Sequence, residues 1–202
     1  MVITAGLTSR AQPFPKGSDY KVGMVFGINY GSIIGSELQN PSPMLGMNLG
    51  AHFRHKFGKT FHLSSELNAT FRGSNFNNGE TDAYSQVKFV YLDLPLNLMV
   101  NVDGNDQSQF VTLGLEPAYL MESEIYVKPN DIKATYKNFG FRQFDLAAVI
   151  GYHFDFYYFG IRPSIRIGLI NINDNLFMPN VFPETGTQGT IKNATFDLKI
   201  YF

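Results

Sequence analysis

Residues 91–100 read Tyr91-Leu92-Asp93-Leu94-Pro95-Leu96-Asn97-Leu98-Met99-Val100, and every second one from Leu92 onward is aliphatic. In an extended chain successive side chains point to opposite faces, so Leu92, Leu94, Leu96, Leu98 and Val100 share one face. Tyr91, Asp93 and Asn97 share the other. A helix would scatter these leucines around its axis instead of aligning them. The stretch, begun by Val90, is a strand with one wholly apolar face and one that carries charge.

The same period of two recurs on both sides of it. Val22, Met24, Phe26, Ile28 and Tyr30 alternate with Gly23, Gly27 and Asn29; Leu45 to Phe57 and Phe61 to Phe71 repeat the pattern before residue 90. Val111 to Tyr119, Phe144 to Phe154, Phe159 to Leu169 and Phe196 to Phe202 repeat it afterwards. Each of the eight segments is about ten residues or slightly more, the length a tilted strand needs to cross a bilayer.

Composition narrows the class. The 202 residues suit one all-β domain, with 19 Phe, 11 Tyr, no Trp and no Cys. Only 16% of residues are charged, where a soluble domain carries roughly a quarter. The formal net charge of -1 provides no electrostatic footprint for nucleic acid. No apolar run approaches the ~18 residues of a membrane helix. Without cysteine, disulfides and thiolate metal sites are excluded.

Alternation alone also fits a soluble sandwich or a lipocalin-like barrel, and the connections decide between them. Gly58-Lys59, the stretch 101–109 and Asp155 to Tyr158 are short links. Gly31 to Pro43, Gly73 to Gln86, Glu122 to Gly140 and Asn171 to Thr190 are long ones, and the two kinds alternate strictly. Outer-membrane barrels have short periplasmic turns and long outer loops. The expected fold is thus an eight-stranded antiparallel up-and-down transmembrane β-barrel over residues 21–202, with both termini periplasmic. Residues 1–20 read as a signal-peptide remnant, up to about Ala11, followed by an N-terminal periplasmic segment. Pro95, Pro117 and Pro163 lie inside strands of a sheet without edges, so bulges or broken ladder bonds are expected there.

Several stretches resemble the PorT-like outer-membrane barrel family of Bacteroidota. Tyr91 to Leu96 (YLDLPL) is similar to a recurrent strand of that family, Gly114 to Leu120 (GLEPAYL) to its fifth strand, and Arg162 to Ile172 (RPSIRIGLINI) to its seventh. Leu198 to Phe202 is similar to the terminal aromatic signal of outer-membrane barrels in general. The resemblance implies the fold and the outer membrane. Through the family's type member it points to type IX secretion and gliding machinery, though Pro13 to Tyr20 is shorter than the arm expected of that member.

An eight-stranded barrel is just wide enough for side chains to fill it. Its inward charges should therefore pair, because isolated charges in a low-dielectric interior are costly. The expected lumen network is Glu66, Asp93, Glu116, Asp145 and Asp197 against Arg162, Arg166 and Lys199. Acids outnumber bases in that set, so either Arg54 or Arg72 joins it or one acid keeps its proton.

Catalytic alternatives are thin. His62 and Ser64 fall on one strand face, but in this register they point inward, away from a lipid substrate, and no third partner is evident. His52 and His55 fall on opposite faces of theirs, which does not suit a metal. No cofactor site is expected. Ile125, Tyr126 and Val127 in one long link, and Phe177, Met178, Val181 and Phe182 in another, are candidate partner-docking residues, since apolar loops invite burial. The expected role is an accessory or scaffold subunit, embedded in outer-membrane lipid and bound to other outer-membrane proteins. A small channel or ligand-binding barrel is the alternative, and a lipid-modifying enzyme a weaker one.

Overall fold

A computed structural model describes residues 19–35, 41–77, 84–104, 108–128, 134–137, 140–174 and 190–202. The strands are β1 (Tyr20–Gly35), β2 (Pro41–Phe57), β3 (Phe61–Asn77), β4 (Tyr84–Asp93), β5 (Leu96–Asn101), β6 (Gln109–Lys128), β7 (Ala134–Lys137), β8 (Phe144–Asp155), β9 (Gly160–Gly168) and β10 (Ile191–Tyr201). Every pairing is antiparallel. β1 closes the ring, with Phe26 opposite Leu49 of β2 on one side and Ile200 of β10 on the other. β4 and β5 form one wall strand in a single register against β3, Asn68 facing Asp93 and Ser65 facing Leu96. The wall therefore has eight strands, and β7 is a short addition to β6.

The prolines behave differently from one another. Pro95 divides β4 from β5, and Pro117 stands directly across the break. Glu66 N–H donates to the Pro95 carbonyl at 3.0 Å, and Leu94 N–H donates to the Pro117 carbonyl at 2.9 Å. Neither proline has an N–H to return, so each rung keeps one bond of two. In β8–β9 the ladder lapses between Gly151–Ser164 and Phe154–Ile161, where Pro163 sits. The bulges lie elsewhere. One is in β2 between Pro43 and Met47, and the other leaves Met121 of β6 unpaired opposite Val90–Tyr91.

The apolar faces point outward. Leu45 is 67% exposed, Leu94 44% and Leu113 49%, within an aliphatic band bordered by Tyr30, Phe71, Tyr119 and Phe144 at one end. Phe57, Phe61, Phe154 and Phe202 border the other. A soluble monomer rarely exposes contiguous apolar surface beyond a few hundred Å², so this wall requires hydrocarbon around it.

The barrel runs farther into the long links than alternation indicates. β3 continues to Asn77 and β4 begins at Tyr84, with Gln86 opposite Asn75 and Lys88 opposite Gly73. β6 continues to Lys128, so Glu122 to Lys128 are strand and not loop. Above the aliphatic band the outward positions become Ser32, Asn75, Lys88 and Glu124. The contrast between faces disappears there while the backbone ladder persists.

Inside, glycine makes room for the polar groups. Gly27 faces Asn48, Asn29 faces Gly46, Gly50 faces Asn68 and Asn97 faces Gly114 across neighbouring strands. A Cβ on Gly50 would stand 2.3 Å from the Asn68 Oδ1. Each asparagine folds over the glycine beside it, which keeps an amide in a space too narrow for two side chains. At the turns, Gly58 has φ +71 and Gly104 φ +72, the left-handed region that only glycine enters freely.

Candidate functional site

The lumen is filled in tiers. At the short-turn end, Arg54 NH1 meets Asp155 Oδ2 at 2.5 Å, and its Nε donates to His62 Nδ1 at 2.9 Å. The guanidinium lies 4.5 Å from the Phe110 ring centre, and His153 Nε2 meets the other Asp155 oxygen at 3.0 Å.

The middle tier is organised by Glu66. Arg162 NH2 and Tyr201 O–H donate to its Oε1, while Lys199 Nζ and Asn68 Nδ2 donate to its Oε2. Tyr201 also lies under the Arg162 guanidinium, 5.0 Å from ring centre to Cζ, and meets His52 and His153 edge-on.

The third tier joins two arginines to three acids. Arg166 NH1 pairs with Glu116 and lies 3.5 Å from Asp93 Oδ2, while its NH2 donates to Thr195 Oγ1 at 2.7 Å. Arg72 reaches Asp93, Glu116 and Asp145 at 3.5–3.6 Å and stacks its guanidinium 3.8 Å from the Tyr91 ring centre. Asn193 Nδ2 donates to Asp145 at 2.8 Å. Asp197 is buried two residues before Lys199, and among the described residues it forms no ion pair within 4.0 Å.

An apolar tier closes the loop-side end, with Ile33, Phe76, Val87, Phe89, Ile125 and Phe141 packed together. The Phe89 and Phe141 rings meet edge-on at 4.7 Å.

All eight residues assigned from sequence to the lumen point into it and are buried. Both arginines held as alternatives, Arg54 and Arg72, are there as well. Lys21 and Asp155 complete the set. Lys21, Arg54, Arg72, Arg162, Arg166 and Lys199 stand against Glu66, Asp93, Glu116, Asp145, Asp155 and Asp197, six of each sign among the described buried residues. Counting Lys21, Arg54, Arg72 and Asp155 with the eight residues read from the sequence removes the excess of acids. Asp155 and His153 were missed as partners because Asp155 sits at the boundary with a turn, although the alternation of β8 continues to it.

The docking residues divide. Ile125 is a correction, being 1% exposed inside the barrel, because the Met121 bulge shifts the phase of β6 and turns it inward. Tyr126 is half-buried in β6, opposite Gln86, and Val127 follows it in the same strand opposite Ser85. These three are strand residues, not loop residues. Phe177, Met178, Val181 and Phe182 lie outside the described residues. His62 and Ser64 are buried in the lumen, away from lipid. No group of three or more His, Cys, Asp or Glu among the described residues is disposed to hold a metal.

A closed barrel with an aliphatic outer band and a polar filling is a membrane-spanning β-barrel of the outer-membrane type. The chain belongs to the outer membrane protein beta-barrel domain family, whose model matches residues 10–174. Its place is accordingly the outer membrane.

Similar solved structures include Ail, the attachment invasion locus protein of Yersinia pestis, at 12% identity and TM-score 0.53, covering 91% of this chain and 97% of that one. Ail has also been solved with the heparin analogue sucrose octasulfate. Neisserial surface protein A is similar at 7% identity and TM-score 0.52, covering 91% of this chain and 98% of that one. At such identities the likeness is one of fold. No curated protein sequence matches the chain.

Proposed function

We propose that this protein is a non-enzymatic, non-conducting barrel that serves as an accessory or scaffold subunit of a larger outer-membrane complex, for example in secretion, assembly or transport. The observation that carries this reading is the filled lumen: paired charges occupy three tiers and an apolar tier lies above them. With the lumen filled by side chains among the described residues, function moves to the outer wall and the loop-side rim. The YLDLPL, GLEPAYL and RPSIRIGLINI stretches favour a PorT-like relative, and with it a role beside type IX secretion. Strict alternation of short and long links, with an even number of strands, favours periplasmic termini.

Native extraction in mild detergent followed by mass determination tests the role. A co-purifying outer-membrane protein at fixed stoichiometry is expected. A lone monomer would overturn the reading. The second reading, a small channel, is addressed by planar-bilayer conductance, where no single-channel steps are expected.

A further inference from the structure

Three histidines, His52, His62 and His153, are buried at the short-turn end of the lumen, and their partners differ in kind. His153 Nε2 meets the Asp155 carboxylate at 3.0 Å, and His52 Nε2 lies 3.3 Å from the Phe202 carbonyl oxygen. Each of these rings has an oxygen beside it that accepts from a protonated nitrogen. His62 is placed the other way. Its Nδ1 accepts from Arg54 Nε at 2.9 Å, and a guanidinium has donors only and keeps its charge in proteins. The bond therefore requires an unprotonated Nδ1.

The surroundings of His62 reinforce that requirement. Lys56 stands opposite it across β2–β3, and Arg54 faces Ser64 two residues along. β5 contributes Met99, and β6 the Phe110 ring at 4.7 Å. His153 and Asp155 face it from β8. On the other side of Arg54, β1 adds Lys21. The acid that faces His62 is Asp155, and it already holds Arg54 NH1 at 2.5 Å and His153 Nε2. A proton on His62 would set N–H against N–H and cation against cation, and a buried tier screens that repulsion weakly.

We propose that Arg54, His62 and Asp155 form an acid-sensitive latch at the short-turn mouth of the barrel. With His62 neutral, Arg54 is held by the imidazole on one side and the carboxylate on the other, and the tier is closed. Once His62 takes a proton, Arg54 leaves Nδ1, its ion pair with Asp155 loses alignment, and the tier loosens. A histidine in water takes its proton near pH 6.5, roughly, and the opened tier is what gives His62 that water. Opening is therefore favoured progressively as pH falls below that value, by up to about tenfold per unit, because the proton binds to the open form. The third tier and the apolar tier contain no histidine, so the loosening is confined to this end. The latch does not depend on whether the barrel docks into a complex.

The chain has no cysteine, so Ser64→Cys places a single thiol in the lumen directly across from Arg54, at a position 3% exposed. The probe is N-ethylmaleimide. Its labelling rate on the folded full-length barrel is divided by that on the unfolded chain at the same pH, which removes the thiol's own titration. The ratio is expected to rise about thirtyfold from pH 7.5 to pH 5, the factor that one group titrating near pH 6.5 supplies. His62→Asn keeps an acceptor near the Nδ1 position and takes up no proton, so it should hold the rise below about threefold. His55→Asn, on the outward face of β2 beside Phe57, should leave the rise whole. Ser74→Cys, buried at the loop-side end, reports on the other mouth and should show none. Folding of every variant is verified by its migration on an unheated gel. A flat ratio in the Ser64→Cys barrel, an equal rise at Ser74→Cys, or an undiminished rise with His62→Asn in a folded barrel would overturn the assignment.

Discussion

Glu66→Gln removes one negative charge from the point where four donors converge. In the native barrel its two oxygens accept from Arg162, Tyr201, Lys199 and Asn68, and the residue is 2% exposed. The amide keeps the volume and one acceptor, and it turns an NH₂ toward cations that need an acceptor. Breaking a buried ion pair typically costs 3–5 kcal/mol, roughly, because the surviving charge stays buried without compensation. Here one acid serves two cations, which places the loss at the upper end. Asp197 lies two residues from Lys199 and without an ion pair of its own among the described residues, so it can take up part of the excess.

A net loss of about 4 kcal/mol results from these opposing effects. Guanidinium titration of the folded barrel in detergent, read by unheated-gel mobility and circular dichroism, yields the loss as the midpoint shift multiplied by the slope. Adding Lys199→Met to Glu66→Gln should recover about half of it, since one of the two uncompensated charges is then gone. A single-variant loss below about 1 kcal/mol, or a double variant no better than the single one, would refute the account of Glu66 as a shared counter-ion.

Gly50→Ala should cost about 2–3 kcal/mol in the same titration, because its Cβ would lie 2.1 Å from the Leu67 carbonyl oxygen and 2.3 Å from Asn68 Oδ1. Arg54→Met should cost about 3 kcal/mol, since it strips Asp155 of its 2.5 Å partner. Leu94→Arg, on the outward face, should lower folding stability in vesicles by roughly 2–4 kcal/mol. In detergent micelles, where the guanidinium reaches water easily, the same substitution should have little effect on the guanidinium midpoint. Replacing Leu94 with equal cost in both media would mean that the band does not face hydrocarbon.

Much of this molecule is determined by a local rule. Alternation with period two is a property of the extended backbone, so Leu92, Leu94 and Leu96 are assigned to one face, and Asp93 and Asn97 to the other, from neighbouring residues alone. The same rule turns Glu66, Arg162 and Lys199 inward without knowledge of where they meet. The alternation of short and long links adds the up-and-down order of the strands.

Only the tertiary structure decides the pairing. Glu66 is 96 residues from Arg162 and 133 from Lys199, and closure of β1 on β10 with one particular stagger brings them to the same height. Charge balance was hidden for the same reason: Asp155 and Arg54 become partners 101 residues apart only when the ring has closed. The Met121 and Met44–Gly46 bulges are equally invisible beforehand, since a bulge is a mismatch between two strands and neither strand encodes it by itself. The Met121 bulge turns Ile125 from an expected loop residue into part of the inner packing.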